Sequence, residues 1–203
     1  MIIETPRLRL REFVAEDWPA VLAYQSDPRY LTYYAWTGRT EADVRAFVSQ
    51  FVTWQAALPR LKYQLAVTLR DGGELIGNCG VRLEEPGART GDVGYEIAPV
   101  QWGRGYATEA ARAMVGFGFE GLGLQWIWGE CVSENAASRR VMEKLGMHCQ
   151  ARPWQTQWIK GQWWYTVACG VLLDDWRQGM GQNWFADHAV YAENMPLRQK
   201  TGS

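Results

Sequence analysis

Gly103 and Gly105 stand between a strand-like segment, Gly94-Tyr-Glu-Ile-Ala98, and a run with helical spacing through Ala107, Ala110, Ala111, Met114 and Phe117. Glycine lets a backbone approach a ligand closely and adopt positive φ. The first turn of the following helix leaves its N–H groups without intrahelical partners, and its dipole favours negative charge. One charge there gains only about 0.3–1 kcal/mol, so several donors must act together. Arg104 can add a charge-assisted bond. The chemistry that suits this turn is pyrophosphate binding; a glycine turn serving only packing is the plain alternative. A P-loop is excluded, because the chain contains no Gly-Lys pair. A dinucleotide fingerprint is disfavoured, because Thr108 occupies its third glycine position. A third pattern, Arg/Gln-x-x-Gly-x-Gly/Ala, fits from Gly105 onward, with Trp102 at its head and Gln101 one residue early.

The elements that must hold this turn follow from periodicity. A first strand is expected over 7–13, with Leu8 and Leu10 alternating with arginines. Asp17 can cap a helix through Val21, Leu22 and Tyr24, which Pro28 closes. Thr40 opens a second helix with Val44, Phe47, Val48 and Phe51 on one face. Strands are expected over 63–69 and 74–81, joined by Asp71-Gly-Gly73, and then over 92–98. After the glycine turn and its helix come a strand over 124–132 and a helix capped by Asn135 and ended at Gly146. A hairpin over 154–160 and 162–172 turns at Lys160-Gly161. The order is β-α-α-β-β-β-α-β-α-β-β, an α/β or α+β fold with a mixed sheet. Residues 1–178 form one domain, and 179–203 form an extension without periodicity. Glu96 and Glu130 fall inside central strands, where a carboxylate is buried only if paired; solvation on an outward face is the alternative.

Composition narrows the partners. The 203 residues are 47% hydrophobic and 21% charged, with net charge −1. No global field draws nucleic acid or an anionic membrane, so a polyanion must be caught locally. Cys79, Cys131, Cys149 and Cys169 form no C-x-x-C pair and read as buried reduced thiols, which fits a reducing compartment. No metal site is expected, since His148 and His188 lack ligand spacing. No secretory signal and no apolar run near the ~20 residues of a membrane helix stand in the chain, so a cytoplasmic location is expected. Six of the 12 tryptophans fall between Trp154 and Trp184, either packing half-buried strands or walling a substrate.

Five words occur in order over residues 3–177: Glu4-Thr-Pro-Arg-Leu-Arg-Leu-Arg11, Leu75-Ile-Gly-Asn-Cys-Gly80, Gly94-Tyr-Glu-Ile97, Trp102-Gly-Arg-Gly-Tyr-Ala-Thr-Glu-Ala110, and Asn135-Ala-Ala-Ser-Arg-Arg-Val-Met-Glu-Lys-Leu-Gly146. Together they resemble the GCN5-related N-acetyltransferases (GNAT), in particular the branch of RimJ/RimL ribosomal-protein-alanine acetyltransferases. The resemblance implies a single GNAT-type domain with a mixed, mostly antiparallel sheet flanked by helices. It implies acetyl-coenzyme A as co-substrate, with no metal, and an amine as acceptor. The pyrophosphate falls to Trp102, Gly103, Arg104, Gly105, Tyr106, Ala107 and Thr108. The strand ending near Ile97 is expected to splay from its neighbour and admit the pantetheine arm, with the main chain of Ile97 or Ala98 facing the oxyanion. Asn135 is expected to cap its helix and bond the pantetheine amides. Arg140 is expected to reach toward cofactor phosphate, a solvated helix face being the fate of at least one of Arg139 and Arg140.

Two departures bear on chemistry. Trp102 stands where the family commonly has arginine or glutamine, which shifts the burden to main-chain donors. Met142 stands where many members carry a tyrosine acid, so Ser138 is the substitute, or only a helix-start hydrogen bond. A neutral amine needs a base, and the candidates are Glu96, which is preferred, and Glu130. The acceptor pocket implied by the resemblance holds Tyr33, Tyr34, Trp36, Trp154 and Trp158 and few acids, which favours a peptide terminus or an aromatic or apolar amine over a polyamine. The chain thus reads as an acetyl-coenzyme A-dependent N-acetyltransferase working by direct attack in a ternary complex. The alternative is a non-catalytic acyl-coenzyme A-binding or regulatory module. A homodimer is compatible with the chain.

Overall fold

The structure is a computed structural model that describes residues 1–150, 153 and 155–179; Trp154 and the extension from 180 onward lie outside the described residues. The chain opens with β1 (Ile2–Glu4) and β2 (Leu8–Arg11), then α1 (Trp18–Gln25), α2 (Pro28–Leu31) and α3 (Glu41–Gln55). Next come β3 (Lys62–Leu69), β4 (Leu75–Arg82), β5 (Thr90–Ile97), α4 (Tyr106–Gly116), β6 (Trp126–Val132) and α5 (Ala136–Lys144). β7 (His148–Cys149), β8 (Gln155–Ile159), β9 (Gln162–Leu172) and α6 (Leu173–Gln178) complete it. The sheet runs β1-β2-β3-β4-β5-β6-β9-β7, with β8 paired to β9. Every pairing is antiparallel except β5 with β6. The mixed, mostly antiparallel sheet with flanking helices is the one expected. β1, α2, β7 and α6 are additions, and each is six residues or shorter, too short for a periodic signal. Among the described residues no helix is long and apolar enough to cross a membrane.

The sheet buries both faces. On one, Leu65, Val81 and Ile127 pack with Ala111, Met114 and Met142 from α4 and α5. On the other, Ala66 and Ala98 pack with Val21, Tyr24, Val44 and Phe51 from the helical layer. Thr40 caps α3 as its sequence suggests: the Asp43 amide donates to its hydroxyl at 3.2 Å, and its own amide donates to the Asp43 carboxylate at 2.8 Å. Asp17 does otherwise. Its carboxylate accepts from both Arg11 guanidinium nitrogens at 2.7 Å and from the Val14 amide at 2.9 Å, so it ties β2 to the approach of α1 instead of capping it.

The cysteines correct the expectation of four reduced thiols. Cys149 and Cys169 are register partners across β7 and β9 and are joined by a disulfide. Twenty residues separate them, and β7 is two residues long, so nothing local announces that they face one another. Cys79 and Cys131 are buried free thiols. Burial pushes the first up to about 12 and the second up to about 11, which keeps both as neutral thiols near pH 7.

Candidate active site

β5 lies between two neighbours but is paired along its length with only one of them. With β4 it stays in register from Arg82↔Asp92 to Gly77↔Ile97. With β6 it pairs only through Thr90, Gly91 and Asp92, after which β6 follows β9 as far as Val132. The C-terminal half of β5 therefore borders a split in the sheet. The Ala98 amide donates to the Ile76 carbonyl at 2.7 Å, on the β4 side. Successive backbone groups of an extended strand face opposite edges, so the amide and carbonyl of Ile97 face the split. The Ile97 carbonyl accepts from the Trp102 indole N–H at 2.6 Å, in agreement. Of the two expected oxyanion donors, Ala98 is thus committed within the sheet and Ile97 is the one aimed at the opening. Trp102, the residue out of family pattern, ties the glycine turn to the end of β5.

The turn itself is built as its composition suggests. Gly103 has φ +76° and Gly105 has φ +82°, both in the left-handed region that favours glycine. A side chain on Gly103 would meet nothing within 4 Å, so there is room above the turn for a ligand. The first rung of α4 is the Glu109 amide to the Gly105 carbonyl, which leaves the Tyr106, Ala107 and Thr108 amides ahead of the ladder. Arg104 is exposed, and its carbonyl accepts from Arg7 at 2.9 Å.

Glu109 anchors this turn to the N-terminal hairpin. It accepts from the Thr5 hydroxyl at 2.7 Å, the Arg7 amide at 2.9 Å and the Arg7 guanidinium at 2.7 Å. Burial acts to raise its pKa, but these donors outweigh burial and hold it below the ordinary glutamate value. A carboxylate depressed in the folded state stabilises above its unfolded pKa, and that contribution is lost as pH falls through the folded one. Glu109→Gln is therefore expected to cost about 1 kcal/mol at neutral pH and progressively less at acid pH, as the wild-type carboxylate is protonated. Urea unfolding of both proteins at neutral and acid pH checks this; a gap that stays constant would rule out the charge as its source.

On the other face, a cleft of about 250 Å³ opens between the sheet and the helical layer. Tyr34, Phe47, Phe51 and Trp54 wall it, and Gln64, Asn78, Arg82 and Glu96 lie along its sheet side. Glu96 is half-buried and engaged by four donors. Its Oε2 accepts from Asn78 at 2.8 Å, Tyr24 at 3.1 Å and Gln25 at 3.1 Å. Its Oε1 accepts only from Tyr34, at 3.4 Å. The carboxylate is thus clamped by one oxygen and presents the other. Burial, and next the charge of Glu96, raise Tyr24 and Tyr34 well above the usual phenol range, so both remain protonated donors.

Asn135 caps α5, its side-chain oxygen accepting from the Ser138 amide at 3.0 Å. The Ser138 hydroxyl lies 2.9 Å from the Tyr95 hydroxyl, which also donates to the Ser138 carbonyl at 3.0 Å. Burial raises the Tyr95 phenol above its ordinary value. Tyr95 neighbours Glu96 on β5 and faces the opposite side of the sheet, so the two hydroxyls and the carboxylate flank the split.

The other expected site residues scatter. Glu130 is half-buried on β6, on the same sheet face as Glu96 but beyond the split. Arg140 is exposed on α5. Tyr33 donates to the Glu134 carbonyl at 3.2 Å and stacks edge-on with Trp164. Trp36 stacks on Tyr34 at 4.5 Å and is not among the residues that line the cleft. Trp158 is 60% exposed and pairs with Trp163 across the β8–β9 hairpin, away from the cleft; the alternation of that strand turns it outward. Trp154 lies outside the described residues. Phe47, Phe51 and Trp54 supply the aromatic wall in its stead, along a face of α3 that reads only as core. Asn78 and Gln25 also went unforeseen, although a polar residue inside the apolar run Leu75-Ile-Gly-Asn-Cys-Gly80 is a usable signal.

Against known proteins, the family described as "Acetyltransferase (GNAT) domain" matches residues 7–148. The uncharacterised N-acetyltransferase YnaD of Bacillus subtilis is 34% identical over 176 residues, covering 87% of this chain and 99% of that protein. The crystal structure of a GNAT-family acetyltransferase from Bacillus anthracis superposes with TM-score 0.70 at 31% identity, covering 85% of this chain and 98% of that one. The ribosomal alpha-N-protein acetyltransferase RimL, solved in complex with coenzyme A, superposes with TM-score 0.75 over 86% of this chain and 99% of that one. At 15% identity the latter likeness is one of fold.

Proposed function

The chain belongs to the GNAT acetyltransferase family, and from that premise we propose that it acetylates a small apolar or aromatic amine, or a peptide amino terminus, by direct attack within a ternary complex. Acetyl-coenzyme A supplies the activated acyl group. The observation that carries the reading is a clamped carboxylate with one open oxygen, Glu96, in an aromatic cleft beside the split in the sheet. The residues present fit the co-substrate. Gly103 leaves space beside the unladdered amides that follow Gly105, and the split offers the Ile97 amide.

Glu96 Oε1 takes the proton of the attacking amine as the C–N bond forms, and the C–S bond then breaks to release coenzyme A as the thiolate. The Ile97 amide donates to the carbonyl oxygen as it gains charge. A thiol near a pKa of about 8.5 is a stronger acid than either Ser138 or Tyr95, so a full proton transfer from these hydroxyls is uphill. The pair instead steadies the departing sulfur by a hydrogen bond, which accounts for the missing tyrosine at Met142. Among the residues that line the cleft, Tyr34, Phe47, Phe51, Trp54 and Tyr95 are aromatic and Glu96 is the one carboxylate, while the charge of Arg82 is paired with Asp92. That composition suits an amine carried on an apolar or aromatic body, and not a polycation.

The test is coenzyme A thiol release over a panel of peptides, amino acids, aryl amines and polyamines, with calorimetry of acetyl-coenzyme A alongside. Release with apolar or aromatic amines or peptide termini is expected. Release with polyamines alone would overturn the acceptor assignment, and binding without release for any acceptor would favour a non-catalytic module.

A further inference from the structure

Arg82 does not touch Glu96, yet two amides connect them. Arg82 Nη1 donates to the Gln64 side-chain oxygen at 3.3 Å. The Gln64 NH₂ donates to the Asn78 side-chain oxygen at 2.6 Å. The Asn78 NH₂ donates to Glu96 Oε2 at 2.8 Å and to the Tyr24 hydroxyl at 3.0 Å. We propose that Arg82 is a positioning residue for the base: through Gln64 and Asn78 it sets the hydrogen-bond polarity that turns a donor, and not a carbonyl oxygen, toward Glu96 Oε2.

The argument is one of direction. A guanidinium only donates, so the Gln64 oxygen must face it. Each amide has one accepting end and one donating end, so the orientation of Gln64 dictates that of Asn78. Reversing both would set NH₂ against guanidinium at one end and a carbonyl oxygen against a carboxylate at the other. Gln64 is 4% exposed and Asn78 2%, so water cannot repair a reversed bond. Asp92 anchors Arg82 from the side, its carboxylate accepting from Arg82 Nε at 2.8 Å. Gly94 makes the berth: a β-carbon there would lie 2.6 Å from the guanidinium. A donor aimed at the charged form of a carboxylate favours that form.

Other groups also face Glu96. Tyr24, Tyr30 and Tyr34 do so from the helical layer, and Arg39 acts on Tyr34 from ahead of α3. The Arg82–Asp92 pair and Glu130 share its sheet face. Of these only Tyr24 touches the Asn78 amide, and it accepts from the same NH₂ that the relay directs toward Glu96.

This inference rests on Glu96 being the base, and the experiment separates the two. Gln64→Glu is nearly isosteric and accepts from both Arg82 and Asn78, so it turns the Asn78 oxygen toward Glu96. The acidic limb of the kcat/KM profile is expected to rise by about one pH unit, and the ¹³C titration of the Glu96 carboxyl in the intact protein is expected to rise with it. Gln64→Leu, which adds no charge, and Gly94→Ala, which displaces the guanidinium, should move both readouts the same way by less. They keep the test decisive if Gln64→Glu does not fold. Folded variants whose Glu96 titration coincides with that of the parent would overturn the relay. A carboxyl titration that rises while the rate profile stays in place would uphold the relay and remove Glu96 as the base.

Discussion

Glu96→Gln is expected to lower turnover by about 10²–10⁴-fold while leaving the affinity for acetyl-coenzyme A within a few-fold of the parent. Glutamine keeps the shape of the side chain and offers one oxygen to the Asn78, Tyr24 and Gln25 donors that hold Oε2 now. Its NH₂ then replaces Oε1, the oxygen that only Tyr34 contacts. The clamp survives and the proton acceptor is gone. The phosphate-friendly turn at Gly103 and Gly105 shares no hydrogen bond with this cluster, so binding and turnover should part company. Steady-state rates across about pH 6–10, beside calorimetry of the co-substrate, provide the measurement. Near-parental turnover throughout that range would remove Glu96 from the mechanism.

A second large effect is expected from a residue with no functional group. Gly77 pairs with Ile97 across β4 and β5, and a β-carbon on it would collide with the Glu96 carbonyl and come within 3.0 Å of the Ile97 Cα. Both obstacles are backbone, so no rotamer change relieves the clash. Overpacking of this kind costs about 2–4 kcal/mol. For a chain of this size that lowers Tm by roughly 5–15 °C. Gly77→Ala should also depress turnover beyond its effect on stability, because the displaced residues carry the base and the split-facing amide. Gly103→Ala is the contrast. Open space surrounds it, so its cost is confined to the positive φ, about 1–2 kcal/mol, and its functional effect to co-substrate affinity. Thermal melts of the two variants compare them directly; a Gly77→Ala melt within about 2 °C of the parent would refute the clash.

What could be read along the chain was what is encoded over a few residues. The glycine turn, the Thr40 and Asn135 caps, the hairpin at Lys160-Gly161 and the alternation of β3, β4 and β5 depend on spacing and on local backbone hydrogen bonds. Those act within a turn or two and leave their mark in residue order. The motif words then sufficed to name a family, a fold and a nucleotide-like co-substrate. Side-chain partnership is another matter, because it depends on strand register and on which face each residue takes. Glu96 could be proposed as a base from its strand, but its partners come from positions 24, 25, 34 and 78, joined only when β4 pairs with β5 and the helical layer packs on the sheet. Parity decided that Ile97 and not Ala98 faces the split, that Trp158 turns outward, and that Cys149 meets Cys169. Trp102 read as a departure from pattern until folding brought its indole to the Ile97 carbonyl. Local order determines which elements form, while the pairing of distant strands determines which polar atoms are left facing one another, and the chemistry proposed for this protein lies in those atoms.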